Sequence, residues 1–330
     1  MEANEMKAVW YERNGPAREV LVVGTMTDPE PGQGEVRVRL ATSGVNPSDV
    51  KTRAGSRPMA GPRVVPHSDG AGVIDRVGTG VAQSRIGERV WIWNGQWQRP
   101  FGTAAEMIAL PAAQAVPLPP DTTFDEGACL GIPALTAYRA VTVDGAIAGA
   151  SVLVAGGAGA VGHYAIQFAR QLGAAQVIAT VSSPAKARHA LAAGADLAVD
   201  YRREDLVEKV REATGGRGVD RVVEVDAATN LRLLPRLVAR DGLCVVYGSS
   251  RSEVACEFGP MIQSGVAVRW FIVYELSAQA RQQAVEQLGE WLAAGRIRHA
   301  IDASYPLEEA ATAHERVESF AAIGNVVLTV

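Results

Sequence analysis

Cysteine is scarce in this chain: Cys129, Cys244 and Cys256 are the only three, each far from the others. Residues so spaced supply neither a CxxC metal site nor a disulfide framework. Long apolar runs are missing too, since no stretch approaches the ~20 uninterrupted apolar residues of a membrane span. The opening MEANEMKAVW lacks a basic segment followed by a long apolar one, so no secretory signal is expected. Positive charge is not in excess. The formal net charge is -4, with 32 Lys and Arg against 36 Asp and Glu, which leaves no electrostatic footprint for nucleic acid or an anionic membrane. Internal repeats and low-complexity segments are absent as well. What remains is the composition of an ordered globular protein, 48% hydrophobic and 21% charged. A length of 330 residues accommodates about two domains with real cores, and a cytoplasmic location is the default expectation.

Residues 151–173, SVLVAGGAGAVGHYAIQFARQLG, carry the most information. Ser151 to Ala155 is a short apolar run, the pattern of a strand buried on both faces. It runs into Gly157-x-Gly159-x-x-Gly162, and Val161, Ala165, Phe168 and Leu172 then recur at helical spacing. Strand, glycine turn and helix in that order suit a dinucleotide pyrophosphate. The first glycine permits a tight turn, the second lets backbone approach the phosphates, and the third lets helix and strand pack closely. The helix N-terminus adds unpaired N–H groups and partial positive charge. The expected contacts run through Gly156, Gly157, Ala158, Gly159, Ala160, Val161 and Gly162.

Another absence sets the expected dinucleotide. The second strand, Gln176 to Val181, should deliver a side chain to the adenosine ribose, and NAD sites place Asp or Glu there, about 20 residues past the glycines. Here the strand ends Val181-Ser182-Ser183-Pro184-Ala185-Lys186, with no carboxylate before Asp196. A carboxylate would repel a 2′-phosphate, whereas the Ser182 and Ser183 hydroxyls and the Lys186 ammonium would hold one, with Arg188 a second cation nearby. NADPH is therefore expected over NADH. Ser182–Pro184 also reads as the cap of the next helix with Lys186 a solvated first-turn charge, and the two readings are compatible.

Residues 6–118 alternate short β patterns with Gly/Pro turns. Glu35 to Leu40 has clean period two, and Gly70–Val77 and Glu88–Trp93 look similar, the signature of a mostly antiparallel β domain. From about Ser151 to Phe271 strands are expected at 151–155, 176–181, 195–199, 220–225, 242–247 and 267–272 with helical patterns between, which gives a parallel, doubly wound sheet. A long helix (Ser277–Ala294), a short strand near Ile301 and a further helix (Leu307–Glu318) follow. The closing Asn325–Val330 is too short to stand alone and is expected to return to the first domain.

These segments together resemble the zinc-independent medium-chain dehydrogenases/reductases of the quinone oxidoreductase or ζ-crystallin type, over nearly the whole length. The resemblance is carried by Gly44-Val-Asn-Pro-Ser-Asp49, Ser68-Asp-Gly-Ala-Gly-Val-Ile74, Gly131-Ile-Pro-Ala-Leu-Thr-Ala-Tyr-Arg139, Gly156–Gly162, Val223-Glu-Val-Asp-Ala-Ala-Thr-Asn230 and Gly324-Asn-Val-Val-Leu328. It implies an α/β fold: a GroES-like, mostly β catalytic domain (1–128 and 273–330), a Rossmann NADP-binding domain (129–272), and a cleft where they meet. It implies homodimers or homotetramers, often joined through the Rossmann sheet edge, and exposed edges invite such pairing. It also places Tyr201 beside the adenosine 2′-phosphate. Gly248 and Ser249 follow the fifth strand, at the carboxyl end where cofactors sit in open α/β sheets.

Metal-dependent members of the superfamily hold zinc at positions that correspond here to Asn46, Ser68 and Ile132. An amide, a hydroxyl and an alkyl group do not make a Zn²⁺ site, and three cysteines cannot supply a four-cysteine structural lobe. His67, beside Ser68, is read as a loop residue, because one imidazole without partners is not a zinc site. No metal is expected.

Without a Lewis acid the favoured hydride acceptors are small molecules that need little activation, quinones and electron-poor enones or other conjugated carbonyl compounds. By resemblance Asn46 and Thr136 lie near the nicotinamide, suited to fixing a carboxamide or a substrate oxygen. Asn46-Pro47 also reads as a turn start, and Thr136 as bonding its own helix backbone. The functional reading is preferred for Asn46, which has no helix to cap on its N-terminal side. Two positions after Asp49, where the best-known quinone reductases carry Tyr, stands Lys51. It would donate a proton or hydrogen bond, as in some alkenal and enone reductases, or sit exposed on a helix. Trp93 and Trp97 are read as an aromatic wall for a flat substrate, while Trp91 and Trp93 also fit alternating core positions of one strand. Two alternatives stay open: a 2-alkenal, enone or enoyl reductase, and, in another class, an NADPH-binding crystallin-like or RNA-binding protein. The missing basic stripe weighs against RNA.

Overall fold

The computed structural model describes residues 5–330, which separate into two compact units. The first joins the residues up to Ile132 to Val285–Val330, and the second is Pro133–Ala284. In the first, β1 (Glu5–Trp10) and β2 (Val22–Thr27) pair antiparallel. A larger sheet is built around β3 (Glu35–Val45), with β4 (Asp69–Val77), β5 (Arg89–Ile92), β6 (Met107–Pro111) and β7 (Ala115–Pro117). The alternation in β3 does what period two requires. Val36, Val38 and Leu40 point to one face and enter a core with Ile74, Val90, Ile92 and Ile108. Fully burying each such side chain is worth about 1.5–3 kcal/mol. Arg37, on the opposite face, is buried as well, because Asp75 takes its Nε at 2.8 Å and its Nη2 at 2.9 Å.

The second unit is a six-stranded parallel sheet of β8 (Ser151–Val154), β9 (Gln176–Val181), β10 (Leu197–Asp200), β11 (Val219–Glu224), β12 (Val238–Val246) and β13 (Ala267–Trp270). Its order is β10-β9-β8-β11-β12-β13, so the chain winds outward from β8 to one edge, crosses back, and winds outward to the other. The reversal lies between β8 and β11, the switch point at which open α/β sheets bind ligands. All four residues of β8 are buried, as a strand covered by helices on both faces demands. β12 begins at Val238 rather than near 242. Val219 pairs with Val238 and Arg221 with Leu243, so a bulge containing the exposed Arg240 and Asp241 interrupts the apolar pattern.

The chain then returns to the first unit. The helix Ala278–Ala293 is followed by β14 (Ile301–Pro306), the helix Ala310–Glu318 and β15 (Asn325–Thr329). β15 pairs antiparallel with Thr42–Val45 of β3, while β6 takes Glu35–Arg39. The long central strand thus carries β4 along one edge and two short strands in series along the other. The α/β class, the doubly wound parallel sheet and the mostly antiparallel β half are as the periodicities predict. Among the described residues no helix is long and apolar enough to cross a membrane.

Candidate active site

The glycine turn follows β8 directly. Gly156 adopts φ 67°, and its N–H donates to Thr180 Oγ1 at 2.9 Å. The positive φ therefore falls one residue ahead of the Gly157-x-Gly159-x-x-Gly162 spacing; it is Gly156, not Gly157, that needs glycine for the turn itself. Gly157 is small for packing, since a Cβ there would stand 2.6 Å from the Ala179 Cβ of β9. Gly162 is small for a closer contact, 2.2 Å from the Gly156 carbonyl oxygen. Gly159 is different: its Cβ would meet nothing nearer than 3.4 Å, so the space over it is open. Gly159 is also the N-cap of the helix Ala160–Gln171 and offers no capping side chain. The first N–H to find a helical carbonyl is that of His163, bonded to Gly159. As the first residues of that helix, Ala160, Val161 and Gly162 have no intrahelical carbonyl for their N–H groups, and with open space over Gly159 this positive helix end fits a pyrophosphate.

At the end of β9, Ser183 caps the helix Pro184–Ala193, accepting from the Lys186 N–H at 3.3 Å. Lys186 and Ser182 are half-buried, and Tyr201, just past β10, is exposed. Asp196 is directed to the far end of the sheet, where Oδ2 accepts from the Val177 N–H at 2.8 Å and Arg170 pairs with it. Asp200 is a carboxylate that the reading along β9 alone did not weigh. It lies opposite Val181 in register and is engaged in its own loop by the Arg202 N–H at 3.2 Å and Arg203 at 3.8 Å. Gly248 packs against the Val225 carbonyl, which a Cβ would approach to 2.3 Å, and Ser249 Oγ donates to the Arg251 carbonyl.

Glu224, at the end of β11, was not singled out from the sequence. It is buried, its Oε1 accepts from the Asp226 N–H and from Asn230 Nδ2 at 2.9 Å, and burial raises its pKa. It fixes the loop at the switch point. Thr136 is buried in the first turn of the helix Leu135–Thr142.

In the first unit Asn46 stands at the N-cap of a helix on its C-terminal side, Pro47–Lys51, with Pro47 at the favoured first position. Asn46 is therefore more than a turn residue: it forms a capping box with Asp49 and also reaches beyond the helix with its amide. Its backbone N–H donates to Asp49 Oδ2 at 2.8 Å, and its side-chain Nδ2 donates to Asp69 Oδ2 at 2.9 Å. Asp69 Oδ2 also accepts the Ile132 N–H at 3.0 Å. Both acids are buried, and burial pushes the Asp49 pKa up to about 7 and that of Asp69 well above the usual carboxylate range. Ser68 is buried, with its carbonyl accepting the Gly95 N–H.

His67 corrects an expectation. It is a loop residue with φ 78°, but it is fully buried and it has an imidazole partner. Its Nε2 lies 2.8 Å from His314 Nε2, and its Nδ1 lies 2.9 Å from Ser43 Oγ. Ser43 Oγ is 2.8 Å from Thr103 Oγ1, which donates to the Asp69 carbonyl. The direction of the whole chain follows from that last bond. With the Thr103 proton committed, Ser43 must donate to Thr103, His67 Nδ1–H to Ser43, and His314 Nε2–H to His67 Nε2. Both imidazoles are neutral, and desolvation lowers both pKa values, that of His67 to about 3. Among the described residues no group of three or more His, Cys, Asp and Glu is poised to hold a metal ion.

Lys51, the last residue of its helix, is exposed. Trp91 is core, whereas Trp93 and Trp97 are half-buried beyond the end of β5, and the Arg57 guanidinium stacks 4.9 Å from the Trp97 ring. The three tryptophans therefore divide: the strand reading holds for Trp91 alone.

Two family models match the chain, one described as an alcohol dehydrogenase GroES-like domain over residues 32–120 and one as a zinc-binding dehydrogenase over residues 160–293. A 2-haloacrylate reductase of a Burkholderia species is 31% identical across 98% of each chain. The solved structure of Escherichia coli quinone oxidoreductase complexed with NADPH superposes with a TM-score of 0.89 at 30% identity, covering 98% of this chain and all of that one. The structure of an NAD-dependent alcohol dehydrogenase superposes with a TM-score of 0.91 at 32% identity over the same share.

Proposed function

The chain belongs to the medium-chain dehydrogenase/reductase family, in the branch of the quinone oxidoreductases, and from that membership we propose an NADPH-dependent reductase of conjugated carbonyl compounds that works without a metal. The observation that carries the reading is the donor set at the three positions where metal-dependent relatives hold zinc. Asn46 and Ile132 there direct N–H groups at Asp69, and Ser68 adds only a hydroxyl. A cation needs lone pairs aimed at it, not hydrogens.

Bound in the second unit, NADPH supplies a hydride to the β-carbon of an acceptor whose conjugation already lowers the barrier. The residues of this chain have three tasks. The N–H groups of Ala160, Val161 and Gly162 hold the pyrophosphate. Ser182, Ser183, Lys186 and Tyr201 select the 2′-phosphate, with Gly248 and Ser249 lining the carboxyl end of the sheet. Lys186 outweighs Asp200 there, because that carboxylate is engaged by Arg202 and Arg203. Asn46 and Thr136 orient the reacting groups, Lys51 hydrogen-bonds the developing oxyanion, and Trp93 and Trp97 flank a flat acceptor. The resemblance to a 2-haloacrylate reductase favours an enoate or enone as a second substrate class beside quinones.

The protein is expected in the cytoplasm. It is expected to be a homodimer or homotetramer, since β13 ends its sheet with Trp270 exposed and the preceding helix exposes Phe258 and Ile262. An NADPH-oxidation screen tests the assignment. 1,4-Benzoquinones and 2-alkenals should be reduced, isolated ketones should not, and NADH should serve poorly. Lys186→Glu should shrink the preference for NADPH by about tenfold. Alcohol oxidation with no quinone or enone reduction would refute the assignment.

A further inference from the structure

The geometry around Asp69 is more elaborate than a buried acid at a strand end requires. Asp69 opens β4, is fully buried, and receives two hydrogen bonds on one oxygen from segments 23 and 63 residues away. Two glycines make the room for it. A Cβ on Gly44, its cross-strand partner in β3, would stand 3.0 Å from the Asp69 Cβ and 2.3 Å from the Ala128 carbonyl. A Cβ on Gly131 would stand 2.3 Å from Asp69 Oδ1. Its main-chain carbonyl is held as well, by Thr103. Every part of Asp69 except Oδ1 is therefore fixed by a hydrogen bond or by packing.

What this rigid group does to Asn46 is specific. A side-chain amide has an N–H face and an oxygen face, and rotation by half a turn exchanges them. Asp69 Oδ2 already takes the Ile132 N–H, so it presents a lone pair to Asn46, and only the Nδ2 face matches. The Asn46 oxygen is thereby turned to the other side of the amide. The neighbouring Asp49 reinforces this from the backbone, by accepting the Asn46 N–H.

We propose that Asp69 is the positioning residue of the reductase site: it gathers Asn46 and Ile132, two of the positions that bear zinc ligands in metal-dependent relatives, onto one oxygen and locks the Asn46 amide in a single orientation. It organises the site from within the protein where those relatives use a cation. The proposal rests on the reading of Asn46 as an orienting residue.

A double-mutant cycle with a 2-alkenal and NADPH separates it from a general packing role. Asn46→Ala and Asp69→Ala should each lower kcat about tenfold or more, with NADPH affinity nearly unchanged. If Asp69 acts through Asn46, the double variant should be no slower than either single one. Asp69→Asn, whose side-chain oxygen accepts the same two N–H groups, should recover most of what Asp69→Ala loses. Multiplying losses in the double variant, or no recovery by Asn, would overturn the proposal. Should Asp69→Ala fail to fold, Asp69→Leu, which fills the same space but accepts no hydrogen bond, takes its place in the cycle: its loss of kcat should disappear in an Asn46→Ala background, and losses that multiply overturn the proposal. An unreactive wild type would instead refute the reductase reading, and a fully active Asn46→Ala would refute the orienting role of Asn46 and with it the proposal.

Discussion

His67 and His314 lie 247 positions apart and share one hydrogen bond in the interior of the first unit. Both are neutral there, and a further proton has only His314 Nδ1 to occupy, a buried atom with no donor or acceptor beside it among the described residues. The folded-state pKa values are depressed below the unfolded value of ~6.5, so the unfolded chain takes up protons first and stability is lost as pH falls below that value. Asp49 and Asp69 act in the opposite sense. Their raised values mean that the folded state keeps protons the unfolded chain has released, which costs stability as pH rises from ~4 toward about 7. His314→Gln retains a donor toward His67 but cannot titrate. Urea unfolding between pH 6.5 and 4 should therefore show a stability slope shallower than wild type by about 1.4 kcal/mol per pH unit. Equal slopes would contradict the neutral pair. At this scale the sequence displayed the candidates but not their company. Asn46, Ser68 and Ile132 could be read one by one, whereas the hold of Asp69 on two of them and of His314 on His67 comes from packing between distant segments, which no local pattern encodes.

The glycine turn was the most legible element, because strand, turn and helix each impose a local requirement on the residues that form them. The individual roles were less legible. Spacing suggested that Gly157 makes the turn, but the left-handed residue is Gly156, and Gly157 and Gly162 are excluded volume. Two substitutions separate scaffold from ligand contact. Gly162→Ala forces a Cβ onto the Gly156 carbonyl and should cost about 1–3 kcal/mol of stability, seen as a lower urea midpoint. Gly159→Ala meets nothing nearer than 3.4 Å and should cost no more than about 1 kcal/mol, the loss of a favoured N-cap, while weakening NADPH binding about tenfold in a fluorescence titration. Equal NADPH affinity for Gly159→Ala and wild type would remove the pyrophosphate from that helix end. β12 shows the opposite limit. Its start was misplaced because the bulge near Asp241 puts polar residues inside a strand whose pairing is set by β11.

Across the whole chain, the alternation of strands and helices foretold a doubly wound sheet, and right-handed crossovers left few orders for six strands to choose from. The return of the last strand to the first unit was legible in its shortness, since five residues need a sheet to join, whereas its pairing with β3 was not. Substrate was the least legible property, because an acceptor is chosen by a few side chains in loops, and Lys51, Trp93 and Trp97 each have a plain structural use. The central claim is metal-free hydride transfer to a conjugated acceptor, and isotope transfer tests it most directly. Protein treated with a strong chelator is mixed with a 2-alkenal and NADPH deuterated at the transferring position, and the product is examined by NMR. Undiminished turnover with deuterium on the β-carbon is the predicted result; turnover only after zinc is restored, or deuterium on the carbonyl carbon, would contradict it.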